Sequence, residues 1–197
     1  MEEPHCRTQA VEERITVAGF GGQGIVLMGK LLAYAGLLEK KNVTCLPSYG
    51  PEMRGGTANC MVTISESRIG SPYVTRPSSL IAMNHPSLER FESLVEPEGC
   101  ILRNSSLVQR DVSRNDVTVA SVHATREAEE LGDVRVANMI ALGAFIRVRP
   151  VVGVDSLIHA LDRGLPAGRK GMLPLDEKAI QRGCELVRVG VGISAKH

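Results

Sequence analysis

Two short stretches hold the residue types that could do chemistry. In GFGGQG, residues 19–24, the glycines Gly19, Gly21 and Gly24 satisfy the spacing G-x-G-x-x-G. Glycines so placed allow a tight turn from strand to helix, and the helix then presents free N–H groups to a phosphate. Gln23 adds an amide at the helix start, a donor and an acceptor within reach of a ligand or a neighbouring subunit. The second stretch, LPSYGPEMRGGTANC, sets Tyr49, Glu52 and Arg54 in a frame of Gly50, Pro51, Gly55 and Gly56. A guanidinium beside two glycines can take a phosphate or a subunit carbonyl at close backbone approach. An internal Glu52–Arg54 ion pair that only holds the loop is the other reading.

Both loops need elements to position them. The apolar run Ile15–Ala18, ended by Gly19, predicts a buried strand over 15–19. Residues 24–39 predict a helix, with Ile25, Met28, Leu32 and Ala35 on one stripe, Leu27, Leu31 and Leu38 beside it, and Lys40 and Lys41 at its C-terminus. NVTCL (42–46) is a second strand, which completes a βαβ unit. TANCMVTIS (57–65) alternates polar and apolar residues like a half-buried strand, suited to an antiparallel edge. SLIAMN is a buried strand whose Asn84 can cap the helix HPSLERFESLV, with Pro86 in its first turn. GCILRNSSLV and DVTVASV are further strands.

The remainder reads as helical. ATREAEELG is a short helix closed by Gly132, and VANMIALGAFIRV is the most apolar helix, placed centrally and ended before Pro150. VDSLIHALDRGL and a last helix over about 175–188 follow, joined by the basic, glycine-rich linker 164–174, which has no periodicity. Strands alternating with helices predict an α/β fold: a Rossmann-like, mostly parallel sheet flanked by helices, with a helical C-terminal part. Residues 14–190 form the single domain, after a polar extension over residues 1–13.

Composition narrows the function. A chain of 197 residues suits one well-buried domain. A formal net charge of +1 gives no long-range attraction for nucleic acid or anionic lipid, and three Phe, three Tyr and no Trp leave few stacking platforms for bases. The five cysteines are scattered and odd in number, so they suit neither a disulfide framework nor an iron–sulfur cluster held by this chain. The five histidines are equally dispersed, without H-E-x-x-H spacing, and no metal ligand set or catalytic nucleophile–base constellation emerges. No stretch reaches the roughly 20 apolar residues that span a bilayer, and MEEPHCRTQAVEER lacks the apolar core of a signal peptide. A cytoplasmic chain is expected.

The glycine loop alone leaves three uses open: an NAD(P) site, a turn that only lets helix and sheet approach, and a phosphate loop of another kind. An NAD site needs a carboxylate at the end of the second strand, about 20 residues on. Here that strand ends VTCLPSYG, and Glu39 precedes it.

GFGGQGIVLMGKLLA followed by SYGPEMRGGTANCMVTIS closely resembles the gamma subunit of 2-oxoacid:ferredoxin (acceptor) oxidoreductases, of the 2-oxoglutarate and branched-chain 2-oxoacid type. The resemblance continues through SLIAMN and VANMIALGAF and covers about residues 14–190. It implies a non-catalytic subunit of a complex with alpha and beta components and a ferredoxin-like delta component. That complex uses thiamine diphosphate with magnesium, iron–sulfur clusters and coenzyme A to convert a 2-oxo acid, 2-oxoglutarate first among them, to acyl-CoA, with electrons passing to ferredoxin. It further implies that Gly21, Gly22, Gln23 and Gly24, with Tyr49, Gly50, Glu52, Arg54, Gly55 and Gly56, form loops for coenzyme A or for neighbouring subunits. Pro51 and Asn138 also match family positions. An NAD(P)-dependent Rossmann oxidoreductase and a purely structural scaffold subunit are the competing readings.

Overall fold

The computed structural model describes residues 12–49, 57–165 and 167–191. Its chain order is β1 (Glu12–Phe20), α1 (Ile25–Leu38), β2 (Asn42–Tyr49), β3 (Thr57–Ser65), β4 (Ser79–Ala82), α2 (His85–Phe91), β5 (Cys100–Asn104), β6 (Thr118–Val122), α3 (Ala124–Glu130), α4 (Ala137–Val148), α5 (Val154–Gly164), α6 (Leu173–Leu186) and β7 (Arg188–Val191). One seven-stranded sheet has the order β2-β3-β1-β4-β5-β6-β7. Strands β1, β4, β5 and β6 are mutually parallel, whereas β3 and β7 run antiparallel to their neighbours. The mixed α/β architecture is the one expected.

Two strands differ from expectation. β3 is antiparallel but interior, lying between β1 and β2 rather than at an edge. The alternation in TANCMVTIS does orient the strand: Ala58, Cys60, Val62 and Ile64 join the main core. The polar alternates are buried too, with Asn59 7% and Thr63 1% exposed. β7 is the second difference, because the last helix stops at Leu186 and the chain turns into a strand beside β6. β7 is solvent-facing, with Val189 60% exposed, so it carries no burial pattern that periodicity could detect. β1 also begins at Glu12, two residues before the expected domain start.

Helices cover both faces of the sheet. The large core joins alternate residues of β1, β3, β4, β5 and β6 to α1, α4, α5 and α6. The smaller core on the other face places Leu80, Ala82 and Ile101 against Leu88 and Phe91 of α2. Asn84 caps α2 as expected, its side chain accepting a hydrogen bond from the Ser87 N–H at 2.9 Å, with Pro86 in the first turn. Residues Ala137 to Ile146 of α4 are all buried, since α4 lies between the sheet and α6. The basic stretch 164–174 is not a plain linker. It ends α5, makes a 3-10 turn over Ala167–Met172 and starts α6. No helix among the described residues is long and apolar enough to cross a membrane.

Helices α4 and α6 touch backbone to backbone. An ideal Cβ at Gly143 would stand 1.9 Å from the Ile180 carbonyl oxygen, and one at Gly183 would stand 1.9 Å from the Ile140 carbonyl oxygen. The Cys184 thiol donates to the Gly143 carbonyl oxygen at 3.2 Å, which adds a polar tie at the same crossing. No rotamer change relieves a clash with backbone, so a methyl group at either site must push the helices apart. Gly183→Ala is therefore expected to cost about 3 kcal/mol or more, the upper range for overpacking. Gly70→Ala, where an ideal Cβ meets nothing within 4 Å, should change stability by about 0.5 kcal/mol or less. Urea unfolding of both variants measures the contrast.

Candidate functional site

The parallel strands bring their carboxyl ends to one edge of the sheet. From β1 the chain passes through α1 to β2 and β3 on one side, while β4 and β5 lie on the other. The crevice between the ends of β1 and β4 is thus a switch point, the usual place for a ligand on an open α/β sheet. The glycine loop sits there, directly after Phe20.

Gln23 shapes that loop from within. Its Oε1 accepts hydrogen bonds from the Phe20 N–H at 2.7 Å and from Asn84 Nδ2 at 3.4 Å. Its Nε2 donates to the Met83 carbonyl oxygen at 3.4 Å, and its own N–H donates to the Phe20 carbonyl oxygen at 3.2 Å. The amide expected to reach outward is therefore engaged inside the loop. It clasps the end of β1 to the β4–α2 turn.

Asn104, at the end of β5, extends this network, although nothing in the sequence reading singled it out. Its Nδ2 donates to Thr125 Oγ1 at 2.9 Å and lies 3.5 Å from the Met83 carbonyl oxygen. Its Oδ1 accepts from the Ser106 N–H at 3.3 Å and the Thr125 N–H at 3.4 Å. The available signal was a buried asparagine closing an apolar strand ahead of two serines. Such a residue must find partners for both ends of its amide.

Gly24 caps α1 in the left-handed region, with φ 75° and ψ 24°, and no side chain caps the helix. The first intrahelical bond runs from the Met28 N–H to the Gly24 carbonyl oxygen at 3.0 Å, so the N–H groups of Ile25, Val26 and Leu27 have no intrahelical acceptor. An ideal Cβ at Gly24 would lie 2.2 Å from Asn138 Nδ2, so the first turns of α1 and α4 meet at this point. Gly22 also has a positive φ of 97°, yet an ideal Cβ there meets nothing within 4 Å. The backbone of the loop is open on that side.

Beside the loop lies a pocket of about 240 Å³, lined by Gly22, Gln23, Met83, Leu107, Val134 and Asn138 among others. Arg135 also lines it and pairs with Asp133 at 2.6 Å. Phe20, Leu107 and Val134 are large apolar side chains left exposed around this edge. Tyr49, 69% exposed, ends β2 at the same level, opposite Ala58, which itself faces Gly19. Two strand spacings, about 9–10 Å, therefore separate Tyr49 from the glycine loop. Gly50, Pro51, Glu52, Arg54, Gly55 and Gly56 lie outside the described residues.

Two other features limit what this edge can bind. Because β3 separates β2 from β1, the strand whose end would hold a dinucleotide ribose is one position too far away. Glu39 lies at the opposite end of α1, about 20 Å from the loop for a helix of this length. Burial pushes its pKa up, but the Gly153 N–H and Lys41 outweigh that and hold the carboxyl below its ordinary value. Among the described residues no three His, Cys, Asp or Glu side chains gather as a metal ligand set. A second groove, about 360 Å³, opens past β6 between Ser105, Asp111, His123 and Arg188. Arg103 on its wall is engaged by Ser121 at 2.9 Å and Asp111 at 2.8 Å.

A family model for pyruvate ferredoxin/flavodoxin oxidoreductase matches residues 14–186. The chain is 34% identical over 190 residues to the 2-oxoglutarate synthase subunit KorC of Methanothermobacter marburgensis, covering 91% of this chain and 99% of that one. It is 36% identical over 182 residues to the ketoisovalerate oxidoreductase subunit VorA of Methanothermobacter thermautotrophicus, covering 91% of this chain and 37% of that one. The chain thus spans little more than a third of the length of the VorA relatives it matches. Among solved structures, the keto/oxoacid ferredoxin oxidoreductase gamma subunit of Geobacter sulfurreducens is similar with a TM-score of 0.79 at 27% identity, over 90% of this chain and 97% of that one.

The contact between Gly24 and Asn138 can be measured as a coupling. A side chain at Gly24 meets about 1–2 kcal/mol of left-handed strain and about 1–3 kcal/mol of overpacking against Asn138. Gly24→Ala should therefore cost about 2–5 kcal/mol in the unmodified chain, and close to the strain component alone when Asn138 is also alanine. Urea unfolding of the four proteins in this cycle gives the answer. Equal losses in both backgrounds would show that the contact is not the source.

Proposed function

Because the chain belongs to the pyruvate ferredoxin/flavodoxin oxidoreductase family, we propose that it is the gamma subunit of a thiamine diphosphate-dependent, coenzyme A-acylating 2-oxoacid:ferredoxin oxidoreductase acting on 2-oxoglutarate. The observation that carries this reading is the shared extent: the match to KorC runs over 99% of that subunit, whereas the match to VorA takes in 37% of its length. A cytoplasmic complex with alpha and beta components and a ferredoxin-like delta component would be the working enzyme. Thiamine diphosphate and magnesium, held by the alpha and beta components, supply the carbanion stabilisation for decarboxylation, and iron–sulfur clusters take the electrons.

The residues of this chain bind and position. The open backbone at Gly22 and the free start of α1 suit the phosphates of coenzyme A, which would approach the N–H groups of Ile25 to Leu27. A pocket of about 240 Å³ is smaller than those that enclose a whole cofactor. Coenzyme A would seat one portion there and run outward across the edge. Tyr49, Gly50, Glu52, Arg54, Gly55 and Gly56 would form the second wall, with the Arg54 fork on phosphate.

Two observations favour a scaffold role instead. The Gln23 amide is engaged internally, and Phe20, Leu107 and Val134 present an apolar rim that suits another subunit. Both readings are tested in the complex reconstituted with its partner components. Omitting this chain should abolish 2-oxoglutarate- and coenzyme A-dependent viologen reduction. Arg54→Ala should raise the KM for coenzyme A by about 10–150-fold, equivalent to about 1.5–3 kcal/mol for a charged hydrogen bond, and leave the KM for 2-oxoglutarate unchanged. Dissociation of the Arg54→Ala complex on gel filtration would assign the loop to subunit contact. An intact complex with unchanged coenzyme A kinetics would leave the Glu52–Arg54 pair as its role.

A further inference from the structure

Cys45 and Cys60 meet on the face of the sheet that α1 covers. In the β2–β3 ladder Cys45 pairs with Val62 and Pro47 pairs with Cys60, so the two cysteines are diagonal neighbours across adjacent strands. Their sulfurs are 3.5 Å apart, within thiol hydrogen-bond distance, and both thiols are free. Cys60 is fully buried, whereas Cys45 is half-buried on the outermost strand. An ideal Cβ at Gly29 of α1 would fall 2.3 Å from Cys60 Sγ. The bare helix backbone at Gly29 thus makes the room that Cys60 fills. Cys184 donates to the Gly143 carbonyl oxygen, and Cys100 is buried on β5 with its pKa pushed up to about 11 by burial.

We propose that Cys45 and Cys60 form a reversible intramolecular disulfide on reaction with a peroxide, making the β2–β3 pair an oxidative modification site. Cys45 is the attacking group. With the Cys60 S–H as donor, the contact lowers the Cys45 pKa to about 7; burial opposes this and Lys30 adds to it. The same hydrogen bond, with burial, raises the pKa of Cys60. A pKa near ambient pH combines thiolate population with nucleophilicity. The Cys45 thiolate attacks one oxygen of hydrogen peroxide, an S–O bond forms, the O–O bond breaks, and the leaving hydroxide takes a proton to become water. The resulting sulfenic acid is then attacked by Cys60 as it loses its proton; the S–S bond forms, the S–O bond breaks and a second water leaves. Two thiols are oxidised by two electrons and one peroxide is reduced to two waters. The sulfurs need close by only about 1.5 Å to reach bonding distance, and the strands that carry them are already hydrogen-bonded.

The test uses the reduced full-length chain, treated with hydrogen peroxide, alkylated and digested without reductant for mass spectrometry. Two of the five thiols should disappear, a peptide linking Cys45 to Cys60 should be recovered, and dithiothreitol should restore both. In Cys60→Ser the reaction should stop at a Cys45 sulfenic acid trapped by dimedone, and in Cys45→Ser residue Cys60 should stay reduced. The first step should speed up as pH rises and level off well below the range in which an ordinary thiol ionises, because the Cys45 pKa is lowered. A link from Cys45 to Cys6, Cys100 or Cys184, a link between two chains, or irreversible oxidation of Cys45 without a cross-link would overturn the proposal. So would five free thiols under conditions that fully oxidise glutathione.

Discussion

All nine residues of β3 pair on one side with β1, and all but Thr57 also pair on the other with β2. This double pairing holds the glycine-loop end of the molecule in place. It pairs one edge of β1 up to its last residue, Phe20, while β4 pairs with the other edge over Ile15–Ala18, so the strand that leads into the glycine loop is held on both sides almost to its end. It also moves β2 outward, which sets the start of the second loop two strand spacings from the first. A ligand that used both loops would have to be extended, as coenzyme A is and as a nicotinamide ribose held at the neighbouring strand end is not. The same pairing brings the two sulfurs of β2 and β3 together beneath α1.

At the carboxyl ends of the strands the supporting groups are neutral. Gln23, Asn84, Asn104 and Thr125 converge on the turn around Met83 through amide and hydroxyl hydrogen bonds. Charged groups could hold the same turn, but their field would attract or repel an incoming phosphate and would weaken with salt. Amides fix the loop without adding charge. Within the glycine loop itself, the attraction for an anion comes from the start of α1, where N–H groups and the helix dipole point the same way.

Much of this was legible in the sequence, for local reasons. The strand of β1 and the helix of α1 follow from an apolar run, a glycine stop and a helical stripe, and Asn84 and Pro86 mark the start of α2 by capping chemistry. The burial of α4 follows from its composition, because a helix apolar on every side has no solvent face. The place of β3 was not legible. Thr57 to Ser65 alternate in the same way at an edge and in the interior, and burial of Asn59 and Thr63 depends on what packs above them. Gln23 was read as outward-facing, because its residue type and position say nothing of the Met83 carbonyl sixty residues away. β7 escaped because a short exposed strand has no periodic signal. The Gly143–Gly183 approach was equally hidden, since each glycine looks like an ordinary helical interruption until the two helices are crossed.

The order of elements along the chain also has a kinetic side. α6 docks on α4, and β7 pairs with β6 from about seventy residues further along the sequence. During synthesis the earlier strands can assemble as they emerge, but β6 keeps an open row of N–H and C=O groups until β7 arrives. The backbone groove on α4, shaped by Gly143, stays empty over the same interval. The nascent chain therefore passes through a stage with a nearly complete sheet, β6 as a second unpaired edge besides β2, and one uncovered helix. At that stage the domain is most exposed to joining another copy of itself.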